Sequence, residues 1–118
     1  MRRADPELIE PAIQAVVERV AALSAVVGVI LFGSRARGDH HADSDWDLCV
    51  IVRDDAERAA FGRSALRAVA GDTGAALEWH AIRRSDYLRR AHVPGWLAHE
   101  VAEDGVLLAG AVPMAATA

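Results

Sequence analysis

The chain has 118 residues, enough for one domain built on one core, and more than half of them are apolar. A formal net charge of −4 excludes a broad basic face, so no DNA binding is expected. Lysine is absent and all 13 basic residues are arginine, which leaves arginine or backbone as the only clamps for an anion.

Met1-Arg2-Arg3 is followed by Asp5-Pro6-Glu7 rather than by an apolar run, which is not the pattern of an export signal. Asp5-Pro6 reads as a helix start, with a capping carboxylate and proline at the first helical position. Leu8, Ile9, Ala12, Ile13, Val16, Val17, Val20 and Leu23 then recur at helical spacing, predicting an amphipathic helix that ends near Ala25. The most apolar stretch, Val16 to Phe32, contains Glu18 and Arg19 and is too short to span a bilayer. A soluble cytoplasmic protein with no membrane partner is expected.

Val26 to Phe32 is a continuous apolar run with β-branched residues, as in a buried strand. Gly33 to Ser44 is a polar connection. Asp45 to Val52 predicts a second strand, holding the single cysteine, Cys49, which reads as a buried, inert thiol. Asp54 to Ala70 predicts a second helix closed by Gly71. Ala75 to Ile82 suits a third strand. Ser85 opens a short helix, Trp96 to Glu103 makes a last helix, and Val106 to Leu108 adds an edge strand. The expected fold is α+β, a small mixed, mostly antiparallel sheet with helices packed on one face. One domain is expected over 1–109, with an alanine-rich, frayed tail over 110–118.

Two features carry chemistry. Gly33-Ser34 follows the first strand at once, where glycine allows a sharp bend and a close approach to a ligand. If Ser34 begins a short helix, the free amides of its first turn favour an anion, phosphate above all. The glycine spacing and the missing lysine exclude a Walker A loop. The second feature is the pair Asp45 and Asp47. On a strand, alternate residues share a face, with side-chain bases roughly 6.5–7 Å apart. Two such carboxylates suit a hard cation that keeps phosphate oxygens in its shell. Glu78 interrupts an apolar strand, where a charge is costly unless paired or metal-bound. It is the candidate third acid, able to activate an attacking hydroxyl or bind metal, or else an acid facing water on an edge strand.

Gly33-Ser34-Arg35-Ala36-Arg37-Gly38 followed by Ser44-Asp45-Trp46-Asp47-Leu48 resembles the signature of the DNA polymerase β-type nucleotidyltransferase superfamily. Within it the chain is most similar to the minimal nucleotidyltransferases, antitoxin-like partners of HEPN-domain proteins. The likeness spans about residues 26–108. It implies that Gly33 and Ser34 bind triphosphate, that Asp45 and Asp47 hold magnesium, and that Glu78 takes the third acidic place, commonly aspartate in these proteins. Arg37 is given a phosphate or structural contact, and Arg35 is treated as exposed. The implied cofactor is Mg2+, two ions, with ATP as substrate. The implied reaction transfers AMP to a hydroxyl, a tyrosine of a HEPN-type toxin. Since the domain leaves little room for an acceptor-binding unit, a second polypeptide is expected to present that hydroxyl. An antitoxin that neutralises by binding alone, a nucleotide-binding module, an aminoglycoside-type transferase and a homo-oligomer all remain open.

The other candidates read as structural. His40-His41 with Asp39 and Asp43 lacks a fixed ligand spacing and reads as a solvated loop. His80, His92 and His99 are scattered singly. Trp79 and Trp96 read as core or interface, and Trp46 should point away from the acids. Arg83-Arg84 and Arg89-Arg90 form a basic cluster, either a solvated face or a docking surface for an acidic partner or an RNA.

Overall fold

The computed structural model describes residues 1–5 and 9–114. In chain order the elements are α1 (Pro11–Ala21), β1 (Val26–Phe32), α2 (Ser34–Arg37), β2 (Trp46–Val52), α3 (Arg58–Phe61), α4 (Arg63–Ala70), β3 (Leu77–Arg83), α5 (Arg84–Arg90), α6 (Leu97–Asp104) and β4 (Val106–Gly110). The strands form one mixed sheet in the order β3-β2-β1-β4. β1 runs antiparallel to both β2 and β4, and β2 runs parallel to β3. The parallel pair needs a crossover, which α3 and α4 supply.

The α+β class stands, but the helices lie on both faces of the sheet rather than on one. Ile13, Val16, Val17 and Val20 of α1 and Leu66 and Ala70 of α4 pack with Val29, Leu31, Trp46, Leu48, Val50, Val52 and Trp79. Tyr87 of α5 and Ala98 and Val101 of α6 pack with Ile30, Phe32, Cys49 and Ile51 on the opposite face. Alternate residues of β1 and β2 feed the two clusters, which is why both strands read as unbroken apolar runs. Cys49 is fully buried, and desolvation pushes its thiol up to about 12, so it is inert as expected.

Several boundaries moved for local reasons. α1 begins at Pro11, the next proline along, which occupies the first helical turn. The expected start at Asp5-Pro6, and Leu8 with it, fall partly outside the described residues. The helix expected over 54–70 is two helices. Gly62 is extended at φ −64° and ψ 163°, closing α3 and opening α4. Asp54, read as a helix start, instead accepts the Ser85 amide at 2.8 Å and so caps α5 from across the chain. That bond, with Ser85 first among the causes, holds the Asp54 carboxyl below its ordinary value. β4 is longer than expected, and its outer side is occupied: Ala4 donates to the Leu107 carbonyl at 2.8 Å, and Leu107 to that of Arg2 at 2.9 Å. Beyond Gly110 the chain is still held, since Ala111 donates to the Val27 carbonyl at 3.1 Å and Pro113 is buried; 115–118 lie outside the described residues.

Candidate active site

Strand register brings the distant candidates into line. Phe32 pairs with Asp47 across β1 and β2, and Asp47 pairs with Glu78 across β2 and β3. Asp47 shares its face with Cys49 and Ile51, at the rim of the α5–α6 cluster, while Trp46 is buried in the opposite cluster. Asp45 sits one residue ahead of β2 and is exposed. His80, two residues beyond Glu78, meets Phe32 edge to face, with ring centroids 5.4 Å apart.

Gly33 joins the bend to the acids. Its φ is +76° with ψ −158°, a conformation open essentially to glycine alone. A Cβ built there would overlap the Asp47 carboxylate, so the backbone at Gly33 lies directly against that side chain. The Gly33 carbonyl accepts from the amides of Ala36 (3.1 Å) and Arg37 (3.0 Å), starting α2. The amides of Ser34 and Arg35 belong to the first turn, which helix geometry leaves without internal partners. Ser34 remains partly accessible, and Gly38 ends the turn in the left-handed region at φ 87°.

The electrostatics are those of crowded acids. The Asp47 carboxyl is held above its ordinary value, first by desolvation; nearby Glu78, Asp45 and Glu100 raise it further, and a charged His80 opposes them. Glu100, on α6, was missed in the sequence because nothing local links it to a strand more than fifty residues earlier. An all-oxygen set of crowded carboxylates fits a hard divalent cation. Among the described residues, no three His, Cys, Asp or Glu side chains already form a closed cluster for an ion. Asp45 and Asp47 would therefore hold a cation together with oxygens of a bound ligand.

The remaining candidates are tied down. Glu78 pairs with Arg63 at 3.6 Å, and both are partly exposed. Arg37 bridges Asp39 (3.2 Å) and Asp104 (2.8 Å), joining α2 to the end of α6. Arg35 is not exposed as expected but half-buried. Its Nε donates to the Ser44 carbonyl at 3.0 Å, its Nη2 to the Ala42 carbonyl at 3.1 Å, and its guanidinium lies 4.3 Å from the Trp46 ring centre. Arg35 thus grips both neighbours of Asp45. The spacing of an arginine nine residues before a serine gives no hint of such a clamp.

A family model described as a nucleotidyltransferase domain matches residues 13–97. Among solved structures the chain is similar to a candidate nucleotidyltransferase from Sulfolobus solfataricus, with TM-score 0.56 and 23% identity, covering 81% of this chain and 75% of that one. It is also similar to a toxin-antitoxin with AMP-PNP, with TM-score 0.58 and 22% identity, covering 86% and 75%. At these identities the likeness to the two structures is one of fold. No curated protein matches the chain significantly.

Proposed function

Since the chain belongs to the nucleotidyltransferase domain family, its model matching residues 13–97, we propose that it moves AMP from ATP to a hydroxyl of a partner protein. On this reading it acts in the cytoplasm as the antitoxin of a HEPN-type toxin. The observation that carries the proposal is the contact between the Gly33 backbone and the Asp47 carboxylate, which sets the glycine-serine bend against an acid in register with Glu78. The similar toxin-antitoxin structure, with its adenine nucleotide AMP-PNP, supports both the donor and the kind of partner. No helix among the described residues is long and apolar enough to cross a membrane.

In this reading Gly33 and the first-turn amides of α2, with the Ser34 hydroxyl, receive the triphosphate. Asp45 and Asp47 would hold magnesium, two ions in this family's reading. When bound, magnesium neutralises charge on the triphosphate and its leaving group. The acceptor hydroxyl lies in line with the α-phosphorus. Its oxygen forms the new O–P bond as the bond to pyrophosphate breaks, and its proton passes to the Glu78 carboxylate. The protein contributes position and charge rather than a covalent intermediate. Arg37, held by Asp39 and Asp104, steadies α2 in the free chain and is within the phosphate-binding element.

The test combines α-labelled ATP, magnesium and the purified partner toxin. Label should enter the toxin with the native chain and not with Asp45→Ala/Asp47→Ala. Full neutralisation by that double variant, with no label transfer by the native chain, would show an antitoxin that works by binding alone.

Arg35 offers a finer check. Lysine keeps the charge but cannot reach two carbonyls and lie over Trp46 at once. Arg35→Lys is expected to lower transfer by about tenfold, the range for a residue that orients a metal ligand. The magnesium concentration needed for half-maximal rate should rise, while the KM for ATP at saturating magnesium stays near native. An unchanged magnesium titration would show that the clamp does not act through Asp45.

A further inference from the structure

Two hollows of ≈280 Å³ and ≈330 Å³ adjoin one another along the β3 edge of the sheet. They share Arg58, Phe61, Ala81 and Leu97, so they form one groove. One end is bounded by Arg63 and His80, beside Glu78 in the acid row. The other end is bounded by Arg90 and Trp96. Arg58 lines both hollows and Arg83 the one with Arg90, so four of the chain's 13 arginines border this one groove. Against them stands one lining carboxylate, Asp86, already paired with Arg89. In a chain of net charge −4 that concentration is local and opposite in sign.

Two of these arginines are also held in place. Arg83 donates to the carbonyls of Asp54 (2.6 Å) and Ala56 (2.9 Å) and lies 5.0 Å from the centre of the Phe61 ring. Arg90 lies 3.8 Å over Trp96. Arg58 has no ion pair among the described residues. Trp96 is 47% exposed, whereas Trp46 and Trp79 are 7% and 2% exposed. An exposed aromatic under a fixed guanidinium is a surface made for contact, not for the core.

We propose that this groove docks an acidic, hydroxyl-bearing segment of the partner polypeptide and delivers its hydroxyl to the acid row. The proposal rests on the transferase reading for what happens at the row, but the docking itself does not. Charge complementarity selects the occupant: fixed guanidinium forks match carboxylates. An RNA strand is disfavoured because one exposed ring is a poor stacking platform for successive bases. Arg63, largely exposed and 3.6 Å from Glu78, puts a further guanidinium at the end of the groove beside the acid row.

The experiment needs neither ATP nor magnesium. The probes are a fluorescent twelve-residue peptide rich in Glu and Asp around one Tyr, its Gln/Asn counterpart, and a twelve-nucleotide single-stranded RNA. Fluorescence anisotropy reads affinity, and iodide quenching of tryptophan, dominated by Trp96, reads where the probe sits. The acidic peptide should bind, shield tryptophan from iodide, and outbind both other probes. Arg58→Glu/Arg90→Glu should weaken it about tenfold or more, while the equally charge-reversed Arg53→Glu/Arg67→Glu, outside the groove, should not. If the first pair destabilises the fold, Arg58→Gln alone, with native melting, should still weaken binding. Tighter binding of the RNA, equal binding of the neutral peptide, or unchanged iodide quenching would each overturn the proposal. Asp45→Ala/Asp47→Ala, which removes two negative charges beside the groove, should bind the acidic peptide at least as tightly as the native chain does. Docking with no transfer would sink the transferase reading and leave the groove standing; transfer with no docking would do the reverse.

Discussion

Replacing Asp47 by asparagine is expected to abolish transfer and, at the same time, to stabilise the metal-free protein at neutral pH. Asparagine keeps the shape but removes the charge that a hard cation requires. Loss of one such ligand should lower transfer by about 10²-fold or more, on the scale of losing one preorganised electrostatic contact. Stability runs the other way. The folded state raises the Asp47 carboxyl above its ordinary 3.8, chiefly by desolvation and then by Glu78, Asp45 and Glu100, against His80. Between the unfolded value and the raised folded value, the folded state binds more proton than the unfolded one. Stability therefore falls as pH rises through that window, and the loss persists above it. Asparagine does not titrate and escapes the loss. The melting temperature at pH 7 should rise by at most about 3 °C, because Asp47 is only half-buried and solvent screens much of the penalty. The gap should close as pH falls toward the ordinary carboxylate value. Magnesium with ATP should raise the melting temperature of the native chain and not of the variant, since only a ligand bound to the folded state stabilises it. A variant that is less stable than native at pH 7, or that transfers at the native rate, would show that the crowded acids are not a site under electrostatic load.

Where one residue type decides the backbone, the sequence was easy to read. The apolar run Val26 to Phe32, rich in β-branched residues, reads as a buried strand, and the strand has those bounds. Gly33 and Gly38 bracket a short helix as a bend and a left-handed cap should. Trp46 points away from Asp47 because a strand alternates. What stayed hidden depends on pairs far apart in the chain. The coverage of both sheet faces follows from α5 and α6 packing on Ile30, Phe32, Cys49 and Ile51, and no helical pattern declares which face it will choose. Asp54 has the composition of a helix start, yet a stronger partner, the Ser85 amide, claims it. Arg35, Arg63 and Glu100 carry ordinary surface side chains, and only the fold sets them against Asp45, Glu78 and Asp47. The acid row itself was half legible. Asp45 and Asp47 are adjacent enough to be seen as a pair, whereas the step from Asp47 to Glu78 is a register between strands that the chain separates by a crossover.

Gly33→Ala should damage both the fold and the site, and for two reasons that can be separated. The first is conformational. At φ +76° and ψ −158° an alanine pays roughly 1–3 kcal/mol simply to adopt the backbone. The second is steric. The new methyl would overlap the Asp47 carboxylate, so either that side chain turns away from the bend or the bend opens. Together they should lower the melting temperature by roughly 10 °C and reduce transfer below detection at temperatures where the fold persists. Removing the obstructing carboxylate distinguishes the two contributions. In an Asp47→Ala background the methyl has room, so only the conformational cost remains, and Gly33→Ala should destabilise less than it does in the native chain. The difference is a coupling energy, expected to exceed about 0.5 kcal/mol for groups in direct contact. Equal costs in both backgrounds would mean that the Gly33 backbone and the Asp47 side chain do not meet. The bend and the acids would then be two unrelated features, with no reason for a triphosphate on one to sit over the other.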